Sequence, residues 1–172
     1  METFIALRHP EYDHGTRNLT PDGEKHAQEM AAALAEKYRG KTVYVVTSDA
    51  NRCVQMSRYV GPAMSAKIRV EPLLNIDACP ILGESYRGGK YQHRGSTMLG
   101  ELVPLLEKLM PQYEVLIFIT HVLTTVGLIR VVHELAQKGA LTNFQQKAFF
   151  AHANIYEVAT GEITANWFPT QS

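Results

Sequence analysis

The chain has 172 residues, 45% of them hydrophobic and 20% charged, and its 17 basic residues balance 17 acidic ones. This composition is ordinary for a globular protein, and the length predicts a single domain over residues 1–172. Because the net charge is zero, no overall field attracts nucleic acid or an anionic membrane, and any anion site must be local. No apolar stretch reaches membrane-spanning length, and Cys53 and Cys79 do not form a C-x-x-C pair, so we expect a cytoplasmic protein.

Apolar runs alternate with helical patterns in the N-terminal half, which predicts βαβ units and a mainly parallel sheet. The predicted strands of this half are residues 4–7, 43–48 and 68–70. Thr20 can cap a first helix, Pro21 suits its first position, and Gly40 ends its pattern. A second helix should follow Ser48 and run to Pro62.

The C-terminal half begins with a long predicted loop at residues 71–96, where prolines and glycines interrupt any period. An amphipathic helix is predicted at residues 97–110, and Pro104 must either kink it or move its start. The remaining predicted elements are a strand at 115–120, a helix at 122–138 that ends at Gly139, and a hairpin of strands 153–158 and 163–167. Together these elements predict an α/β fold, a three-layer α/β/α sandwich with a mainly parallel central sheet.

Cationic and imidazole side chains follow three of the predicted strands. Arg8 and His9 follow the first, Arg52 lies shortly after the second, and His121 follows the strand at 115–120. The carboxyl ends of the strands are the edge of an open α/β sheet where active sites gather. Guanidinium and imidazole groups at that edge predict a pocket for a phosphoryl group.

Four short motifs follow one another along the chain. They are Leu7-Arg8-His9-Pro10, Leu19-Thr20-Pro21-Asp22-Gly23, the segment from Ser48 to Gln55 with Arg52 inside it, and Thr120-His121. In this order and spacing they resemble the Leu-Arg-His-Gly, Leu-Thr-x-x-Gly, Ser-x-x-x-Arg-x-x-Gln and strand-end histidine motifs of the histidine phosphatase (phosphoglycerate mutase-like) superfamily. The chain is also similar in size to the short phosphohistidine phosphatases of that superfamily, which lack a cap insertion.

The residue types suit phosphoryl transfer through a phosphohistidine intermediate. A neutral His9 can attack phosphorus, and neighbouring cations disfavour its protonation. Arg8 and Arg52 can each donate two hydrogen bonds to the phosphoryl oxygens, in place of a metal ion or other cofactor. The resemblance implies a further phosphate contact at Arg17, while His121 at its strand end and His14 in the loop between His9 and Arg17 are placed to reach the same pocket. The predicted phosphate-binding residues are therefore Arg8, Arg17, Arg52, His121 and His14.

Two positions depart from the family pattern. Pro10 replaces the glycine after the catalytic histidine and lacks an amide hydrogen for phosphate, although its carbonyl can still hold the His9 ring tautomer. Larger members carry a Leu-x-Glu motif after the third strand, where this chain reads Leu73-Leu74-Asn75-Ile76-Asp77. The general acid is therefore predicted to be Asp77, which lies nearest that position, or Glu84.

These features predict a metal-independent phosphatase that hydrolyses a phosphomonoester or a phosphohistidine through a phospho-His9 intermediate. Its substrate would be a phosphorylated small molecule or a phosphoprotein. A phosphomutase is the nearer alternative, although mutases of the family are typically longer and the glutamate motif is missing here. A catalytically weak phosphate-binding module is the other alternative, and Pro10 and the missing glutamate favour it. A zinc site among the seven histidines would need ligand pairs at a spacing such as H-x-x-x-H, which the sequence lacks.

Overall fold

The computed structural model describes residues 1–75, 101–137 and 151–166, and within these ranges one sheet contains six strands. The strands are β1 (Thr3–Arg8), β2 (Val43–Thr47), β3 (Lys67–Val70), β4 (Val115–Thr120), β5 (Ala153–Glu157) and β6 (Glu162–Asn166). Their order across the sheet is β3-β2-β4-β1-β5-β6. The first four named are parallel to one another, and the β5–β6 hairpin joins antiparallel beside β1. The prediction of a mainly parallel sheet is confirmed.

Helices cover both faces of this sheet. They are α1 (Pro21–Lys37), α2 (Asn51–Ala63), α3 (Val103–Leu109) and α4 (Val122–Gln137), with a short 3-10 helix at Pro72–Leu74. Because side chains alternate along a strand, Ile5 of β1 packs in a buried cluster with residues of α1 and α2, and Phe4 packs in a second cluster with α3 and α4. The three predicted layers are therefore present.

Two helices that contain proline have bounds that differ from the prediction. Pro104 lies in the first turn of α3, which begins at Val103 rather than at residue 97, and the first turn suits proline because its amide groups have no partner within the helix. Pro62 lies inside the last turn of α2 instead of ending it. Residues 97–100, Gly139 and Trp167 lie outside the described residues, as does the predicted loop from residue 76 onward. Among the helices that the structure describes, none is long and apolar enough to span a membrane.

Strand β4 lies between β1 and β2, and all six of its residues are buried. Arg8 pairs with Thr120, while Thr47 pairs with Ile119. The pairing continues past the strand ends, because the amide of His9 donates to the carbonyl oxygen of Thr120 at 3.2 Å. The three strands thus end side by side at the same edge of the sheet.

Candidate active site

His9 lies at the end of β1, and hydrogen bonds occupy both of its ring nitrogens. Nδ1 lies 2.9 Å from the carbonyl oxygen of Pro10, to which it must donate, so Nε2 carries the lone pair. Arg52 donates from Nε to that Nε2 at 3.0 Å. The Pro10 carbonyl therefore holds one tautomer of His9, with Nε2 as the unprotonated atom.

Burial keeps the His9 ring neutral. His9 is 7% exposed, and burial lowers its pKa from 6.5 to about 3. The hydrogen bond to Pro10 opposes this change, whereas His121, Arg52 and Arg8 add to it. At neutral pH the Nε2 lone pair is thus available for nucleophilic attack.

Arg52 joins His9 to the second imidazole of the site. It is 4% exposed, and its Nη2 donates to Nδ1 of His121 at 3.2 Å. Nε2 of His121 then carries the hydrogen and donates to Oγ of Ser48 at 3.3 Å. Burial, followed by the Arg52 charge, lowers the pKa of His121 to about 3. A buried guanidinium between two neutral imidazoles is an electropositive site suited to an oxyanion.

These two imidazoles should make the free energy of unfolding fall as the pH is lowered. Below pH 6.5 the unfolded chain binds protons at His9 and His121, whereas the folded protein binds them only near pH 3, where the lowered pKa values of these two residues lie. Stability is therefore expected to decrease from pH 7.5 to 5, by on the order of 1–2 kcal/mol for each imidazole. Urea unfolding at the two pH values measures this, and His121→Asn, which keeps an acceptor for Arg52, should show the smaller decrease. Equal pH dependence in parent and variant would contradict the expectation.

Residues of the Leu19–Gly23 motif and of the Ser48–Gln55 motif contact the loop that follows His9. At Gly23 a Cβ atom would lie 2.0 Å from the carbonyl oxygen of Glu11, so only glycine allows α1 to pack against this loop. Thr20 caps α1 through a hydrogen bond that its Oγ1 accepts from the amide of Gly23 at 3.0 Å. From α2, Oε1 of Gln55 accepts a hydrogen bond from the amide of Leu19 at 2.7 Å. The motifs thus hold the loop in place beside the imidazole.

A cleft of about 240 Å³ opens beside His9. Its described lining comprises Arg8, His9, Pro10, Glu11, Tyr12, His14 and His152. His14 lines the cleft, whereas Arg17 is exposed in the same loop, has a φ of 63°, and does not belong to the described lining. Asp77 and Glu84 lie outside the described residues.

Sequence reasoning missed Glu11, Tyr12 and His152 of this cleft, and the first two make specific side-chain contacts. The carboxylate of Glu11 lies 2.6 Å from Nδ1 of His26 on α1, a contact that helps to lower the pKa of Glu11. The ring of Tyr12 lies over the Arg52 guanidinium, with 4.4 Å between the guanidinium carbon and the ring centroid. Neither residue belongs to the four motifs, and a loop without periodicity gives no signal for where its side chains point. Among the residues that the structure describes, no three His, Cys, Asp or Glu side chains form a group that could hold a metal ion.

Solved structures of other proteins share this fold. A mutant phosphoserine phosphatase from Entamoeba histolytica, solved with phosphoserine, matches with a TM-score of 0.60 and 14% identity over 99% of this chain and 98% of that chain. A mycobacterial glucosyl-3-phosphoglycerate phosphatase matches with a TM-score of 0.59 and 15% identity over 90% and 92%. The α-ribazole phosphatase from Shigella flexneri matches with a TM-score of 0.57 and 14% identity over 96% and 95%. Neither a scan against models of known protein families nor a sequence search of curated proteins finds a match. The structural likeness confirms the predicted fold.

Proposed function

We propose that this chain is a metal-independent phosphatase of the histidine phosphatase superfamily, which transfers a phosphoryl group to His9 and then to water. The observation that carries the proposal is the contact between Arg52 and Nε2 of His9, 3.0 Å long and buried. In this contact an unprotonated imidazole nitrogen lies directly against a guanidinium, which supports His9 as the nucleophile and Arg52 as the group that binds the phosphoryl oxygens. The fold is also that of phosphatases named for phosphoserine and glucosyl-3-phosphoglycerate, which supports a phosphorylated small molecule or a phosphoprotein as substrate.

The first step forms a bond between His9 and phosphorus. Oxygens of the incoming phosphoryl group take over the Arg52 donors, and this exposes the Nε2 lone pair. As the N–P bond forms and the bond to the leaving oxygen breaks, positive charge develops on the imidazole. The Pro10 carbonyl oxygen accepts a hydrogen bond from the Nδ1–H group and so stabilises that charge, while Arg8, Arg52 and His121 stabilise the transferring group.

The second step returns His9 to its starting state. Water attacks phosphorus, the N–P bond breaks, and the electron pair returns to Nε2 while Nδ1 keeps its hydrogen. The proton given to the leaving oxygen in the first step is recovered from this water, and Asp77 or Glu84 is the proposed carboxylate for both transfers.

We place the enzyme in the cytoplasm, since the described cysteine, Cys53, is a buried free thiol.

Hydrolysis of p-nitrophenyl phosphate in the presence of EDTA tests the proposal. This leaving group needs little acid assistance, and the guanidinium groups supply the charge stabilisation, so we expect turnover to stay within about twofold of the rate without chelator. Activity that EDTA abolishes and zinc or magnesium restores would contradict a metal-independent reaction.

The same assay separates the two alternatives. A phosphomutase would pass the phosphoryl group to an added alcohol acceptor in preference to water, so it would release less inorganic phosphate than p-nitrophenol. A phosphate-binding module would bind inorganic phosphate, measured by calorimetry, without releasing p-nitrophenol. Equal release of phosphate and p-nitrophenol over many turnovers supports the phosphatase.

A further inference from the structure

Tyr12 contacts the proposed reacting groups but takes no part in the steps described above. Its ring lies over the guanidinium of Arg52, 4.4 Å from the guanidinium carbon to the ring centroid. The same ring meets the His9 ring edge to face, with centroids 5.0 Å apart. One aromatic side chain thus packs against both the proposed nucleophile and the cation that binds it.

The position of this ring is held by the loop on either side. The backbone of Tyr12 forms an isolated antiparallel bridge with Leu19, whose amide donates to Oε1 of Gln55 at 2.7 Å. The ring also contacts His14, with centroids 4.6 Å apart. Tyr12 is therefore held through its backbone as well as through its ring contacts.

The contact with Arg52 has a specific physical effect. The face of an aromatic ring carries negative potential and attracts a guanidinium, most strongly where water is excluded. Arg52 has only 4% of its surface exposed, and its guanidinium carbon lies over the Tyr12 ring. Its Nε and Nη2 are then directed to His9 and His121, at 3.0 and 3.2 Å.

We propose that Tyr12 is a positioning residue, whose ring face holds the Arg52 guanidinium in the orientation that presents its donors to the phosphoryl group. The inference rests on the proposed function for its catalytic consequence, but the orientation of Arg52 is a property of the protein without substrate. The ring face, and not the phenol hydroxyl, is the part that acts.

Four variants of Tyr12 separate the ring from its hydroxyl and from simple packing. Tyr12→Phe and Tyr12→Trp keep a ring face and should retain kcat/KM for p-nitrophenyl phosphate within about threefold of the parent. Tyr12→Leu keeps an apolar side chain without a ring, and it should lower kcat/KM by roughly tenfold, mostly through kcat. Tyr12→Ala should lose at least as much. Tyr113→Leu is the matched control. Tyr113 lies just before the amino end of β4, whereas the site lies at the carboxyl end of that strand, so this variant should leave kcat/KM unchanged.

Arginine NMR gives a readout that does not depend on turnover. The Nε–H signal of Arg52, identified by its loss in Arg52→Lys, should exchange slowly with water in the parent, Tyr12→Phe and Tyr12→Trp proteins. In Tyr12→Leu it should exchange roughly tenfold faster or disappear, because the guanidinium has lost the face that orients it.

The outcomes are distinct. Parent-like kcat/KM together with a parent-like Arg52 signal in Tyr12→Leu would overturn the inference, as would equal losses in Tyr12→Phe and Tyr12→Leu. If the parent itself has no turnover, the proposed function fails, and the exchange of the Arg52 signal still decides whether Tyr12 orients the guanidinium.

Discussion

His9→Ala is expected to lose turnover of p-nitrophenyl phosphate by a factor on the order of 10⁴ or more, because it removes the atom that bonds to phosphorus. The fold should survive, since His9 lies at the end of β1, beyond the buried clusters that hold the sheet to its helices. Inorganic phosphate should still bind, because Arg8 and Arg52 remain. Steady-state kinetics, circular dichroism and calorimetry measure the three quantities.

Covalent labelling tests the same residue directly. Substrate carrying ³²P should label the parent rapidly, and the label should be labile to acid and stable to base, as a phosphoramidate is. His9→Ala should not label, whereas His121→Ala should react slowly and still label, because His121 stabilises the transferring group without bonding to it. His133→Gln is the control and should label like the parent, because His133 lies on α4 with its Nδ1 2.8 Å from Oη of Tyr156. A parent that binds phosphate but never labels would favour the phosphate-binding module.

The placement of His9 and His121 could be predicted because it depends only on strand periodicity and sheet topology. The continuous apolar runs at 4–7 and 115–120 are typical of buried strands in a parallel sheet. The carboxyl ends of parallel strands lie at the same edge of the sheet. The position of Arg52 could be predicted in the same way, because it lies in the first turn of the helix after β2 and that strand pairs with β4. Strand periodicity and sheet topology were therefore sufficient to predict where the side chains that follow these strands lie.

The surroundings of these groups depend on tertiary contacts that no local pattern encodes. Tyr12 lies in a loop whose course is set by Gly23 and Gln55, distant in sequence, so its place over Arg52 could not be read from neighbouring residues. The pairing of Glu11 with His26 has the same origin, since it joins that loop to α1. At Pro104 the sequence left two options, a kinked helix or a later start, and the observed α3 starts at Val103 with Pro104 in its first turn.

Arg52→Ala is the second variant with a large expected effect, a loss of kcat/KM on the order of 10³-fold or more. The guanidinium meets both His9 and His121 through separate nitrogens, at 3.0 and 3.2 Å, and a phosphoryl group entering the site would receive both donors. Arg52→Lys keeps the positive charge but replaces a planar fork with one compact ammonium. We therefore expect Arg52→Lys to lose roughly 10²-fold, between the parent and the alanine variant.

A control on the same helix isolates the geometry from the overall charge. Arg58 lies on α2 less than two turns after Arg52 and is exposed, so Arg58→Ala removes one positive charge without touching the pocket and should leave kcat/KM unchanged. Removing the Arg52 charge should also raise the pKa of His9 and of His121, because that charge contributes to lowering both. NMR titration of the two imidazoles in Arg52→Ala measures this change. Parent-like kcat/KM in Arg52→Lys would show that charge alone suffices, and parent-like kcat/KM in Arg52→Ala would exclude Arg52 from the reaction.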